Sequence, residues 1–284
     1  MKAQSHGSES SAWSEQQLST GDALAARLLA AQAVAREAGL LACRLVADRG
    51  QLLIEMKGPQ DFVSNADRAV EQLIVKRLSA AFPSDSFLGE EGHGDKTAEA
   101  GTTLWVIDPI DGTANFVQGR QDWCISIGFL HLGRPAIGVI YHPPSDELYA
   151  ARFGHGAFRN GAPIRISEQT AIAEATFALE YSARTPKTIH LRQVGALLTA
   201  GGEYRRNGSA ALSLAHVADG RLDGFAEQHV YAWDVLAAIV LVTEAGGWVS
   251  DFFADGGLQR GNLFVAAAPG VRRQFHAIVN PHEK

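Results

Sequence analysis

Four consecutive apolar residues, Leu104-Trp105-Val106-Ile107, run straight into Asp108-Pro109-Ile110-Asp111-Gly112. A run without polar alternation suits a strand buried on both faces, so its sheet needs cover on both sides. That requirement points to helices layered on sheets. Covering helices are legible upstream. Apolar residues recur at Leu24, Leu28, Ala31, Ala35, Ala38, Ala42 and Leu45, in steps of four and three that make one helical stripe. A second helix opens at Ser64 or Asn65, buries Val70, Leu73, Ile74, Leu78 and Ala81, and stops at Pro83.

Beyond the apolar run, "CISIGFL", "AIGVIYH" and "ELYAAR" read as strands joined by the turns "HLGRP" and "HPPSD". Asn160-Gly161 is a strong hairpin signal. After about Ser167 strands and helices alternate: "SAALSLAHVADG" and "AWDVLAAIVLVTEAGG" are helical with glycine stops, and "RLDGFAE" and "LFVAAA" are strands. We expect a polar, disordered tail over 1–20, an N-terminal α+β lobe over 21–166 and a C-terminal α/β lobe over 167–284.

Composition excludes several functions. With 46% hydrophobic residues the chain has material for a sizeable core, and a net charge of −6 with scattered Lys and Arg argues against nucleic-acid coating or membrane-surface binding. Two cysteines, Cys43 and Cys124, make no disulfide framework and fit a reducing cytoplasm. No apolar run approaches the roughly 18 residues of a membrane span.

Carboxylates cluster at four places: Asp61 and Asp67 in "DFVSNAD", Glu90 and Glu91 in "GEEG", Asp108 and Asp111 in "DPIDGT", and Asp234 in "WD". Each has a plain reading alone. Asp67 and Asp234 suit helix N-termini, Glu90-Glu91 a solvated loop, and Asp-Pro and Asp-Gly ordinary turns. Together they say more. Pro109 and Gly112 let a turn at the strand's end aim Asp108 and Asp111 at one point while exposing the Ile110 carbonyl. Carboxylates so crowded repel one another unless cations sit among them, and an all-oxygen set suits Mg²⁺ or Mn²⁺ rather than zinc. Two such ions about 4 Å apart would reverse the local field and attract a phosphate.

"DPIDGTANF" (108–116) and "WDVLAAIVLVTEAGG" (233–247), with "KGPQDFVSNAD", "GEEG", "GAFRNG", "SARTP" and "RRNGSAAL" in order, resemble the inositol monophosphatase family within the fructose-1,6-bisphosphatase-like superfamily. The resemblance runs from about Leu24 to Gln274. It implies an α/β fold of α+β type, a layered α-β-α-β-α sandwich with two closely packed lobes. It implies two to three Mg²⁺ per site: one on Glu90, Asp108 and the Ile110 carbonyl, one on Asp108, Asp111 and Asp234, and a weaker third sharing Glu90. Asp67 and Thr113 would position and activate the attacking water, Glu91 would support the metal shell, and the Gly112 and Thr113 amides would take phosphate oxygens. Lys57 would help screen charge. The implied reaction is in-line attack of metal-activated water on a phosphate monoester, sensitive to lithium, in a homodimer.

Other phosphatase chemistries fit poorly. Two residues separate Asp108 from Asp111, against the D-x-D-x-T of haloacid-dehalogenase enzymes. "CRLVADR" has the C-x5-R spacing of a cysteine phosphatase but lies on the first helix and lacks glycines. No H-E-x-x-H, G-x-S-x-G or G-K-[ST] motif is present, and His93, His142 and His229 read as loop residues. A regulatory binding role remains a rival of a different class, because some bacterial members of the family also contact the transcription machinery. Intact ligand side chains favour catalysis.

For the substrate, Glu227 matches the family's acceptor of substrate hydroxyls, and Ser209 and Ala210 begin a helix whose amides could face the sugar. Arg206 or Arg205 pairs with Glu227 or reaches across a dimer interface, and the sequence leaves both open. A polyol phosphate such as inositol 1-phosphate fits, with histidinol phosphate as close rival. Nucleoside 3′,5′-bisphosphate and fructose 1,6-bisphosphate rank lower, since no extra cationic set for a second phosphate is evident in the sequence.

Overall fold

The computed structural model describes residues 21–48, 52–58, 61–92 and 103–280. The expected tail over 1–20, His93 and the last four residues lie outside these, and of Lys57 and Asp61 only the backbone is described.

Helices α1 (Gly21–Ala47) and α2 (Asn65–Ala81) flank a short antiparallel ribbon, β1 (Ile54–Gly58) and β2 (Asp61–Ser64). A seven-stranded sheet follows in sequential order: β3 (Ser86–Gly89), β4 (Leu104–Asp111), β5 (Cys124–His131), β6 (Arg134–His142), β7 (Glu147–Arg152), β8 (Ala157–Arg159) and β9 (Ala162–Pro163). Only β3 and β4 pair in parallel. The short α3 (Thr113–Gln118) interrupts it after β4. The rest of the chain supplies β10 (Thr176–Leu179), α4 (Lys187–Thr199), β11 (Glu203–Arg205), α5 (Ala210–Ala218), β12 (Gly224–Val230), α6 (Ala232–Glu244), β13 (Trp248–Val249), α7 (Gly257–Arg260), β14 (Asn262–Ala267) and α8 (Arg272–Val279). Its five strands order as β11-β10-β12-β14-β13, parallel around β10 and antiparallel around β14.

The layers stack as expected for an α-β-α-β-α sandwich. The stripe of α1 and α2, including Ala31, Ala35, Ala38, Val70 and Ile74, packs on one face of the large sheet. Helices α5 and α6 are apolar nearly all round because they lie between the two sheets. Beyond the smaller sheet come α4 and α8, where Phe177 and Phe275 stack with centroids 4.2 Å apart. Gly128 and Gly138, paired across β5 and β6, let α6 lie directly on the sheet. A Cβ at Gly138 would collide with the Ala237 carbonyl, and one at Gly128 would come 2.9 Å from the Ala237 amide. The Asn160-Gly161 hairpin forms with both residues at positive φ.

One local expectation is corrected. The sequence suggests a turn at Asp108, but β4 continues to Asp111 with a bulge. Asp108 pairs with Ser126 and Asp111 with Cys124, so three steps on β4 face two on β5. In a regular strand, residues three apart point to opposite faces; the extra residue in the bulge returns Asp111 to the side of Asp108.

Candidate metal centre

Asp108, Asp111 and Asp234 each place a carboxylate oxygen within 4.8 Å of the other two. Two elements bring them there: the bulged end of β4 carries the first two, and the first turn of α6 carries Asp234. Asp234 stands at the third position of that helix, where its Oδ2 accepts the Tyr231 amide at 2.7 Å and so caps it. Asp108 Oδ1 accepts the Ile110 amide at 3.0 Å. Asp111 lies at the start of α5, accepting Ser209 Oγ at 2.5 Å and the Ala211 amide at 2.7 Å on Oδ2, and the Ala210 amide at 3.3 Å on Oδ1.

The electrostatics show what such a group needs. Burial, then the charges of Glu90, Asp111 and Asp234, pushes the Asp108 carboxyl well above the usual carboxylate range. Burial also raises Asp111, against the opposing pull of Ser209 and the α5 amides. Asp234 is raised by burial and by Asp111, with Tyr231's amide and Arg184 acting the other way. Among the described residues no Lys or Arg forms an ion pair with any of the three. Hard oxygen donors, converging and without a cationic side chain among them, fit a divalent ion such as Mg²⁺ or Mn²⁺.

A cleft of about 680 Å³ opens over this group, and most of the expected site residues line it: Glu90, Ile110, Gly112, Thr113, Arg206 and Glu227 beside Asp108, Asp111 and Asp234. Glu90 lines the cleft outside the tight trio. Gly112 adopts a left-handed φ of 97° before α3, and a Cβ there would come 2.7 Å from the Asp122 carbonyl. Glu227 sits at a second bulge, between β12 and β14, where burial and then Glu180 and Asp234 drive its carboxyl well up.

Asp67 lies behind the cleft. Its Oδ2 accepts the Ser64 amide at 2.8 Å and Ser64 Oγ at 2.7 Å, closing the capping box of α2, while its Oδ1 accepts Thr113 Oγ1 at 2.9 Å. The helix-cap reading and the site reading of Asp67 are thus served by different oxygens. Burial raises its carboxyl, against Ser64 and Thr113. Glu91 is also outside the cleft lining, and its amide donates to Glu71 Oε2 at 2.9 Å. Ser209 and Ala210 direct their hydroxyl and amide at Asp111 rather than lining the cleft.

Four further residues were not singled out from the sequence. Glu71, fully buried on α2, underlies the "GEEG" turn. Glu180 accepts the Asn207 amide at 2.7 Å and the Gly208 amide at 3.1 Å, holding the loop before α5; burial pushes it up to about 7. Arg184 and Lys187 line the cleft, two cations that the sequence reading did not single out. "SARTPK" displayed them, but only folding brings that loop beside the acidic strand end.

Fold and cleft together define a metal-dependent phosphatase built as a layered sandwich. The chain belongs to the inositol monophosphatase family, whose sequence model matches residues 24–282 and whose members hydrolyse phosphate monoesters. It is 39% identical to an inositol-1-monophosphatase of Rhizobium meliloti over 78% of this chain and 83% of that one. It is equally 39% identical to a protein of Xylella fastidiosa named Nus factor SuhB, over 77% and 79%. The crystal structure of extragenic suppressor protein suhB from Bartonella henselae superposes with a TM-score of 0.84 at 33% identity, covering 90% of this chain and 99% of that one.

Proposed function

We propose that this phosphatase is Mg²⁺-dependent and releases phosphate from a small alcohol phosphate of the inositol 1-phosphate kind, with histidinol phosphate as the rival substrate. The convergence of Asp108, Asp111 and Asp234 carries the reading. Glu90, the Ile110 carbonyl and this trio would hold two to three ions. Those ions would screen the phosphate's charge, acidify a bound water and stabilise the leaving alkoxide.

The chain's own groups do the rest. Gly112 and Thr113 line the cleft at the start of α3, and their amides would orient the phosphate oxygens. Thr113 Oγ1 lies 2.9 Å from Asp67 Oδ1 and 3.0 Å from the Ile110 carbonyl, so a single hydroxyl proton has two acceptors. With that proton on the Asp67 side, a hydroxyl lone pair would be free to orient water, and the water's proton would pass to Thr113 Oγ1 as Thr113 gives its own to Asp67. Glu91 supports the "GEEG" turn, and its charge acts on Asp67. Glu227 would accept a substrate hydroxyl, and Arg206, whose charge acts on Glu227, would steady it. Ser209 and Ala210 would act on substrate indirectly, through Asp111. Lithium inhibition, a homodimer and a cytoplasmic setting belong to the same reading.

The test is kcat/KM on inositol 1-phosphate and histidinol phosphate with Mg²⁺, for the wild-type chain and Asp108→Asn. The variant should lose at least ~10³-fold in kcat with its fold intact; full activity would defeat the proposal. A second reading, a regulatory protein of transcription, is favoured by the relatives named Nus factor SuhB. Rescue of a deletion strain by Asp108→Asn would support it.

A further inference from the structure

The loop between β11 and α5 joins the two ends of the cleft. Arg206 and Gly208 line the cleft, and the next two residues, Ser209 and Ala210, turn to Asp111. Two buried side chains from different layers hold this loop. Glu180, just past the end of β10, is 5% exposed. Its Oε1 accepts the Asn207 amide at 2.7 Å and the Gly208 amide at 3.1 Å, and Ser213 Oγ on α5 approaches the same oxygen at 3.4 Å. From the other side comes Asn115 on α3, 8% exposed. Its Nδ2 donates to the Asn207 carbonyl at 2.8 Å and to the Asp122 carbonyl at 2.7 Å. A Cβ at Gly208 would come 3.1 Å from that nitrogen, so loop and side chain are already in contact. Asn207 is thus held through its amide by the smaller sheet and through its carbonyl by the turn that follows β4.

Tying the layers together does not by itself call for a carboxylate. A neutral acceptor would take both amides, and burying a charge is costly. Burial drives Glu180 up to about 7, against the Asn207 and Gly208 amides and the charge of Arg206. For Glu227, raised by burial and then by Glu180, Arg206 is again an opposing charge. Arg206 is exposed and, among the described residues, forms no ion pair. Its reach is therefore set by the backbone that Asn207 continues and by the field of the two carboxylates. The metal end has anchors of its own, the Ala210 and Ala211 amides on Asp111. What the grip on Asn207 controls is the alcohol end of the cleft.

We propose that Glu180 and Asn115 are positioning residues for substrate selection: gripping Asn207 from opposite sides, they set Arg206 beside Glu227 and so fix the arrangement that recognises the hydroxyls of the alcohol. This rests on the phosphatase reading above and adds to it the buried groups that decide the preference for a polyol. Neither residue lines the cleft, so both act through the loop. Loss of the grip removes binding made to the alcohol in ground and transition states alike, which raises KM and leaves kcat.

The test compares inositol 1-phosphate with cyclohexyl phosphate, the same ring without its hydroxyls, at saturating Mg²⁺. The wild-type chain should favour inositol 1-phosphate by about a hundredfold or more in kcat/KM. Asn115→Ala and Glu180→Ala should each cut that preference about tenfold through the KM of inositol 1-phosphate, with the half-maximal Mg²⁺ concentration changed by less than about twofold. Glu180→Gln keeps an acceptor for the two amides and loses only the charge, so it should melt as the wild type does and cut the preference about threefold. A grip that only stabilises the fold would lower kcat/KM on both substrates together and raise the Mg²⁺ requirement. That result, an unchanged preference in Asn115→Ala and Glu180→Gln, or a wild-type chain without preference overturns the positioning role while leaving the phosphatase reading standing. No hydrolysis of either substrate overturns both.

Discussion

Asp111 on β4 accepts the hydroxyl of Ser209 at 2.5 Å across 98 positions of sequence, which ties the bulged strand to the start of α5. With the Ala211 amide on the same oxygen, the carboxylate is fixed before any ion arrives. Ser209→Ala removes this contact and leaves the amides. The Mg²⁺ concentration for half-maximal activity should rise by about tenfold, with kcat largely recovered at saturation. A metal titration of activity decides it, and an unchanged requirement with lowered kcat would place Ser209 on the substrate instead.

Asp67 reaches the cleft only through Thr113, so its loss should affect turnover more than metal binding. Asp67→Asn preserves the shape of the α2 cap while removing the charge that polarises the Thr113 hydroxyl. We expect kcat to fall ~10²- to 10⁴-fold and calorimetric Mn²⁺ affinity to change by less than about threefold. Equal loss of both would make Asp67 part of the metal shell.

The layers were legible because their signals are local. The stripe of α1, the unbroken apolar run of β4 and the Asn160-Gly161 hairpin each depend on neighbours within a few residues. The acidic trio could be guessed from residue type, but its convergence depends on the bulge between Asp108 and Asp111, which alternation alone does not announce. Glu71, Glu180 and Arg184 were missed for a related reason. Their partners lie 20 or more residues away, and nothing in "AVEQL", "ALEYS" or "SARTP" says that a carboxylate will hold amides or a guanidinium will line a cleft.

The raised carboxyls make a pH prediction whose sign is opposite to ordinary acid denaturation. Asp108, Asp111, Asp234 and Glu227 all titrate above their usual range when folded, and Glu180 does so at about 7. Between about pH 4, where unfolded carboxylates ionise, and these raised values, the folded chain holds more protons than the unfolded one. Their favourable contribution is complete below pH 4 and is lost as pH rises through 7. In chelator, melting temperature should drop by roughly 5 °C or more from pH 5 to pH 7.5, and excess Mg²⁺ should reverse the drop. Glu147, lowered to about 2 chiefly by Arg221 against burial, weakens the fold only at far lower pH. A metal-free chain that melts higher at pH 7.5 than at pH 5 contradicts the assignment.

Gly89 and Glu71 yield the last prediction. The Glu71 carboxylate is fully buried beneath the "GEEG" turn, accepting the Glu91 amide at 2.9 Å, and a Cβ at Gly89 would land on it. The turn thus needs no side chain at 89 and an acceptor at 71, and the two together fix where Glu90 enters the cleft. Glu71→Gln keeps a carbonyl acceptor and should raise the Mg²⁺ requirement only a few-fold. Glu71→Ala leaves the half-buried Glu91 amide without its Glu71 acceptor and should raise it by 10- to 100-fold, at a stability cost of about 1–3 kcal/mol. Gly89→Ala forces the carboxylate aside and should resemble Glu71→Ala in metal requirement. A general packing defect would lower stability in all three variants without separating Gln from Ala in the metal titration, because metal affinity depends on where Glu90 points and not on how firmly α2 is seated.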